Sequence, residues 1–227
     1  MKKLLALGLM LMVCGIAQAA IIETATIFCD ADAGNGGLDS ASRTYTFGNT
    51  SSMNFYTNKW RKNYVHFDMS SLAGATITNV SIQFEISWVQ APSTNSYPVN
   101  AYVATSEWDE LSLNWTYRKS GVAWNTVGGD YGAQVATGLI GNTTGLKTLT
   151  GGAELIALVQ GWVDGTVSNY GIMMMNDTLG GGEQRAMRVR ELTPGQQARL
   201  VVEYTIPEPA TLGLLASGVA FMLKRKK

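Results

Sequence analysis

Over 227 residues the chain sets 17 lysines and arginines against 17 aspartates and glutamates, with one histidine and two cysteines. That balance excludes the basic body that generic nucleic-acid binding needs, and two cysteines exclude a disulfide framework. The neutrality is itself misleading, because six of the basic residues sit at the chain ends: residues 20–206 hold eleven basic and sixteen acidic side chains, a net charge of −5.

The chain opens with Lys2 and Lys3, an apolar run from Leu4 to Ala17, and the small-residue site Ala17-Gln18-Ala19. This is the plan of a secretory signal peptide over residues 1–19, cut by signal peptidase after Ala19. The apolar run is shorter than the ~20 residues a membrane-spanning helix needs. Cys14 belongs to that run, since Val13 precedes it where a lipid-attachment signal wants a small residue. Export then leaves Cys29 as the one thiol, read as a small buried apolar residue.

Beyond Ala20 the pattern is alternation of period two, clearest from Val80 to Trp88, where every second side chain is apolar. Such alternation marks half-buried antiparallel strands. Ile21–Phe28, Arg43–Phe47, Tyr64–Phe67, Val99–Val103, Tyr170–Met174 and Arg199–Thr205 read the same way. Glycine-rich stretches at residues 30–38, 126–132 and 176–182 read as loops. Glu154–Val163 is the exception: Leu155, Leu158, Val159 and Trp162 recur at helical spacing before Asp164-Gly165, so a short helix with Trp162 on its core stripe is expected. The fold class is therefore all-β, an antiparallel β-sandwich of jelly-roll type with one short helix, in one domain over residues 20–206.

Candidate chemistry is sparse. His66 is the lone histidine; alternation puts Val65, Phe67 and Met69 on one face and His66 with Asp68 on the other, so an imidazole satisfied by Asp68 is preferred to a general base. Ligands for zinc are lacking. Glu107, Asp109, Glu110 and Asp130 are the carboxylates from which a glycosidase pair would be drawn. Asp30, Asp32 and Asn35 place hard oxygen ligands in a glycine-rich stretch, with Asp39 as the further ligand of a Ca2+ site. Ala41 stands where an EF-hand needs its last acid, and a solvated polar turn is the preferred alternative. Trp124 and Tyr131 flank Gly128-Gly129-Asp130, where exposed aromatics suited to sugar binding are expected.

Arg188 and Arg190 lie two apart in an expected strand and so share a face, with Met187 and Val189 turned to the core. Arg185, and Arg118-Lys119 in the loop after Trp115, extend them into a track for carboxylates or sulfates through bidentate guanidinium contacts. For Arg190, an internal ion pair with Glu191 is slightly preferred.

The chain closes with Pro207-Glu208-Pro209, the apolar stretch Ala210–Leu223 and Lys224-Arg225-Lys226-Lys227. Fourteen residues at ~1.5 Å rise make only about 21 Å of helix against a hydrocarbon core near 30 Å, which suits transient membrane insertion. These three parts in this order closely resemble the PEP-CTERM sorting signal. The resemblance implies recognition by an exosortase, loss of residues 207–227, and a Gram-negative producer with an exopolysaccharide or biofilm matrix.

The body has a resemblance of its own. Asn63-Tyr64-Val65-His66-Phe67-Asp68-Met69-Ser70-Ser71-Leu72 and Gly74-Ala75-Thr76-Ile77 are followed in order by Trp108-Asp109-Glu110, Asn114-Trp115, Trp124, Val159-Gln160-Gly161-Trp162, Asn169-Tyr170-Gly171-Ile172 and Arg188-Val189-Arg190-Glu191. In that order they resemble the DNRLRE domain, over residues 25–205. Ala186 and Met187 stand where the naming motif has Asp and Asn. The resemblance implies a jelly-roll sandwich linked to disaggregatase-related proteins and to carbohydrate-binding modules for acidic polysaccharides. It makes Trp108 and Trp115 scaffold residues and Glu110 a structural hydrogen-bond acceptor. The function expected is an exported, non-catalytic carbohydrate-binding protein of the cell surface, outer envelope or matrix, with an extracellular acidic polysaccharide as partner. A structural or adhesive matrix protein and a polysaccharide lyase or hydrolase are the alternatives.

Overall fold

Alternating branched and aromatic side chains bury best on one face of a sheet, and in the computed structural model they build thirteen strands among the described residues. Those residues are 21–36, 48, 52–56, 61–90, 95–178, 183–192 and 194–206. In chain order the elements are β1 (Ile22–Phe28), β2 (Ala31–Gly36), β3 (Met53–Tyr56), β4 (Arg61–His66), a 3-10 turn (Ser70–Leu72), β5 (Thr76–Val89), β6 (Tyr97–Ala104), β7 (Tyr117–Lys119) and β8 (Val122–Ala123). There follow β9 (Tyr131–Ile140), β10 (Gly145–Gly151), α1 (Ala153–Val163), β11 (Ile172–Met175), β12 (Gln184–Met187) and β13 (Arg199–Thr205). The signal and tail segments, the strand expected at Arg43–Phe47, and Asp39 lie outside the described residues.

The strands pair antiparallel in the order β1-β13-β5-β10-β9-β6-β11-β4-β2, with β12 bridging β5 to β3 and with β7-β8 as a separate hairpin. The length of β5 makes this possible. Its first half carries β13, from Thr76 to Gln83; its second half carries β12, from Ile86 to Val89; β10 runs along the opposite edge. The sheet curls so that Ile82, Phe84 and Ile86 of β5 share one core with Phe55 of β3, Val65 of β4, Val99 of β6 and Ile172 of β11. This is the all-β sandwich with one helix that the alternation indicates.

α1 closes the core with Leu155, Leu158, Val159 and Trp162 buried, so Trp162 is core, as its helical spacing requires. Gln160, on the same helix, fixes the start of β5: its Oε1 accepts from Ile77 N at 2.8 Å and its Nε2 donates to Ala75 O at 3.1 Å.

The stretch read as a loop at residues 30–38 is instead β2 over Ala31–Gly36, paired to β4 from Ala31↔His66 to Gly36↔Arg61. Its alanines and glycines serve close packing, not turning: Ala33 is fully buried, and a Cβ on Gly36 would lie 3.0 Å from the Arg61 guanidinium. Something must therefore lie over the outer face of the sheet here, and the segment 105–130 does so. It contributes Leu113 and Trp124 to a second core with Ala33, Tyr64, Met173 and Met175. This explains why β11 reads Ile-Met-Met-Met without alternation: Ile172 and Met174 enter the main core, Met173 and Met175 the second.

Candidate functional site

Where this covering segment meets β2 at the sheet edge, an open cleft of about 470 Å³ remains. Ala31, His66, Glu107, Trp108, Asp109, Glu110, Asn169 and Tyr170 line it. Each wall is held by hydrogen bonds. Asn169 forms an Asx turn, its Oδ1 accepting from Gly171 N at 3.0 Å, and its Nδ2 donates to Phe67 O at 2.8 Å. Gly171 is required there, because φ is +79° and a Cβ would sit 2.1 Å from Val65 O. The turn points Tyr170 O at Trp108, whose indole Nε1 donates to it at 2.8 Å, while the Trp108 ring packs on Tyr64 at 5.8 Å. Trp108 is thus both a scaffold residue and a wall of the cleft.

His66 bonds to Asp30, not to Asp68: Nδ1 and Oδ1 are 2.7 Å apart. Asp68 is drawn instead to the 3-10 turn, accepting from Ser70 N and Oγ. Asp30 reaches His66 because it sits just before β2, whose first residue pairs with His66. The hydrogen bond to Asp30 raises the imidazole pKa against the opposing effect of burial.

Of the lining residues, Glu110 belongs to an ionic knot. Glu110 Oε1 accepts from Asp32 N at 2.8 Å, and its Oε2 accepts from Arg190 Nη2 at 2.7 Å. Arg190 also pairs with Glu191 at 2.9 Å, and its backbone N donates to Asp32 Oδ2 at 2.8 Å. Gly48 packs so closely on the Glu110 backbone that a Cβ would overlap its carbonyl. Among the described residues, Asp32, Glu110 and Glu191 bring carboxylate oxygens within 4.8 Å of one another and form a group that could hold a metal; the Arg190 guanidinium is bonded to two of them.

This is not the Ca2+ set expected from Asp30, Asp32, Asn35 and Asp39. In a strand the odd spacing sends Asp32 and Asn35 to opposite faces. Asp30 is engaged with His66, Asn35 Nδ2 donates to Gly128 O at 3.2 Å, and Asp39 lies outside the described residues.

Burial, with Glu191 and Glu110 adding repulsion, pushes the Asp32 carboxyl up to about 6. The unfolded carboxyl titrates near 3.8, so between those values the folded state keeps a proton that the unfolded state has lost, and stability falls as pH rises through this window. Asp32→Asn keeps an acceptor for Arg190 N and removes the titration. Urea unfolding at pH 4 and pH 7 is expected to show the difference between variant and wild type moving in the variant's favour by roughly 2–3 kcal/mol. Parallel stability curves would contradict it.

The basic track does not assemble. Arg185 is fully buried, its Nε donating to Gly141 O and its Nη2 to Asn95 O and Glu183 Oε2. Strand β12 ends at Met187, so Arg188 and Arg190 lie past it, although Met187 and Val189 do face the core. Arg188 N donates to Glu85 O, and Arg190 takes the ion-pair role preferred for it, with Glu110 in addition to Glu191. Arg118 and Lys119 belong to β7, not a loop. Arg118 Nη1 donates to Glu107 O, and Lys119 pairs with the Glu107 carboxylate, lowering its pKa.

Of the aromatic candidates, Trp124 is buried, stacked on Tyr64 at 5.2 Å. Tyr131 is exposed, edge-on to Tyr102. Lys62 Nζ lies 4.8 Å from the Tyr131 ring and 5.1 Å from that of Trp115, and burial pulls its ammonium down to about 8. Asp130 is drawn away from the other carboxylates, accepting from Ser106, Asn125 and Thr126. Sequence reasoning missed the cleft because its parts come from positions far apart in the chain; a local signal for one wall was Asn169 two residues before a glycine, the pattern of an Asx turn.

Residues 205–227 match the PEP-CTERM protein-sorting motif, a match that starts on the last residue of β13. No curated protein matches the chain. The motif marks an exported, surface-associated protein sorted by an exosortase.

Proposed function

We propose that the mature chain, residues 20–206, is a non-catalytic carbohydrate-binding protein at the surface or in the extracellular matrix of a Gram-negative bacterium, and that it binds its glycan in the cleft beside Trp108. The observation that carries this reading is the cleft itself: a fixed indole wall next to the acceptors Glu107 and Asp109 on an open surface. Rigid aromatics present flat apolar area to sugar rings, and carboxylates accept from hydroxyls and amines. The colinear resemblance to DNRLRE domains supports the same class of ligand.

The acidic polysaccharide expected from the arginine track loses its support here, because Arg185 is buried and Lys119 and Arg190 are paired with carboxylates of the cleft. With Glu107 and Glu110 paired to Lys119 and Arg190, the exposed Asp109 carboxylate is what a ligand meets, which suits a neutral or amine-bearing glycan over a uronate. The non-catalytic reading is supported by how fully these groups are engaged: Glu110 by Asp32 N and Arg190, Asp109 by Ser112, Glu107 by Lys119, and His66 by Asp30.

Affinity electrophoresis of the processed protein tests this against chitosan, a neutral glucan and alginate. Retardation by one of the first two is expected, weakened about tenfold or more by Trp108→Ala and, for chitosan, several-fold by Asp109→Asn. Salt-sensitive retardation by alginate that survives both substitutions would move the site to the basic residues.

A further inference from the structure

We infer that, before its tail is cut, the protein rests on the bilayer through the corner of the sandwich where β1 begins and β13 ends, with Ile21, Ile22 and Ile206 in the membrane interface. The inference builds on the sorting motif at residues 205–227 and does not depend on the carbohydrate reading.

Among the described residues β1 is an edge strand, paired to β13 alone in a register that sets Ile22 against Thr205. The residues next to signal-peptide cleavage and the residue at which the sorting motif begins therefore lie side by side. Three branched apolar side chains are exposed at this corner, Ile21 at 73 %, Ile22 at 63 % and Ile206 at 57 %. Elsewhere most of the isoleucines are buried, including Ile77, Ile82, Ile86, Ile140 and Ile172. Glu23, next to Ile22 in the chain, accepts from the Tyr204 hydroxyl at 2.9 Å, and Thr76 flanks Thr205 on the other side.

Chain length then fixes what faces these isoleucines. Only residues 206–209 separate Thr205 from the apolar stretch that starts at Ala210. Fully extended, the five steps from Thr205 to Ala210 reach about 18 Å at ~3.6 Å each. The headgroup layer of one leaflet takes up roughly 5–8 Å of that distance. With the apolar stretch inserted, the tether holds the end of β13 within about 10–13 Å of the headgroup layer even when fully extended, and the side chains this corner presents there are ones a lipid surface accepts. Three isoleucines give only weak, reversible attachment by themselves, so removal of the tail also frees the corner.

The test uses the signal-free, tail-bearing protein in phosphatidylcholine vesicles, with a polarity-sensitive fluorophore on single cysteines introduced by Ile22→Cys or Ile206→Cys. Cys29 is buried and leaves the label specific. The control is Leu146→Cys, an exposed position opposite Glu85, nine residues along β5 from Thr76 and about 30 Å away at ~3.3 Å per residue. Circular dichroism checks that each variant folds. Labels at 22 and 206 are expected to be quenched at least twofold by spin-labelled lipid, the label at 146 to be unaffected, and all quenching to vanish when residues 207–227 are removed. A protein that sediments with vesicles but shows no quenching at 22, or equal quenching at 146, overturns the inference and leaves tail anchoring intact; failure to sediment overturns both.

Discussion

Arg185→Ala is expected to destabilise the sandwich by about 3–5 kcal/mol, the usual cost of removing one partner from a buried ion pair, while leaving glycan retardation of the remaining folded protein unchanged. The guanidinium is fully buried, lies 4.9 Å from the centre of the Tyr97 ring and donates to oxygens of Gly141, Gln184, Asn95 and Glu183. Gly141 O belongs to the β9-β10 turn, Asn95 O to the connection before β6, and Gln184 O and Glu183 to the entry of β12. One side chain thus ties the end of the β6-β9 pair, where Tyr97 faces Ile140, to the entry of β12. Truncation takes a donor from the Gly141 and Asn95 carbonyls, opens a cavity under Tyr97 and removes the guanidinium from Glu183. Lysine presents a single ammonium with no planar fork to bridge three carbonyls, so Arg185→Lys is expected to recover only part of the loss. Urea unfolding followed by tryptophan fluorescence measures both. Unchanged stability with lost retardation by an acidic glycan would restore Arg185 to a surface track.

Arg185 also marks what the sequence can and cannot disclose. Period-two alternation at Val80–Trp88 and the helical spacing of Leu155, Leu158, Val159 and Trp162 are local signals, and both elements appear where those signals put them. Local signals fail where burial comes from a distant segment. Residues 31–36 carry the composition of a turn because the cover formed by residues 105–130 leaves no room for larger side chains, and alternation cannot report a second layer. Charged residues mislead for the same reason. Arg118, Lys119 and Arg190 read as a surface track in the chain, yet the fold brings Glu107 and Glu110 to them, and each pairing requires a contact over eleven residues or more. Of the cleft, Trp108 to Glu110 and Asn169 to Gly171 were recognisable as motifs, but their meeting depends on the Trp108–Tyr170 hydrogen bond, which spans 62 positions.

Trp124→Ala is expected to cost a similar 3–5 kcal/mol, for a different reason. The indole is only 5 % exposed, lies nearly parallel to Tyr64 at an interplanar angle of 23°, and donates from Nε1 to Asn114 O at 2.8 Å. Asn114 in turn accepts at Oδ1 from Thr116 N and Tyr117 N, so the indole holds together the turn from which β7 departs. Trp124→Phe keeps the stack and orphans only the Asn114 carbonyl, a loss of about 1–2 kcal/mol. Scanning calorimetry is expected to show the alanine variant melting roughly 10 °C lower and the phenylalanine variant within a few degrees of wild type, at about 2–4 °C per kcal/mol for a domain of this size. Tyr64 also packs on Trp108, so loosening this layer reaches the cleft wall. Glycan affinity of the alanine variant, measured well below its melting temperature, is therefore expected to fall less than in Trp108→Ala. If Trp124→Ala instead melted with the wild type and lost glycan binding outright, Trp124 would be a surface platform, and the covering segment would have to sit differently on the sheet.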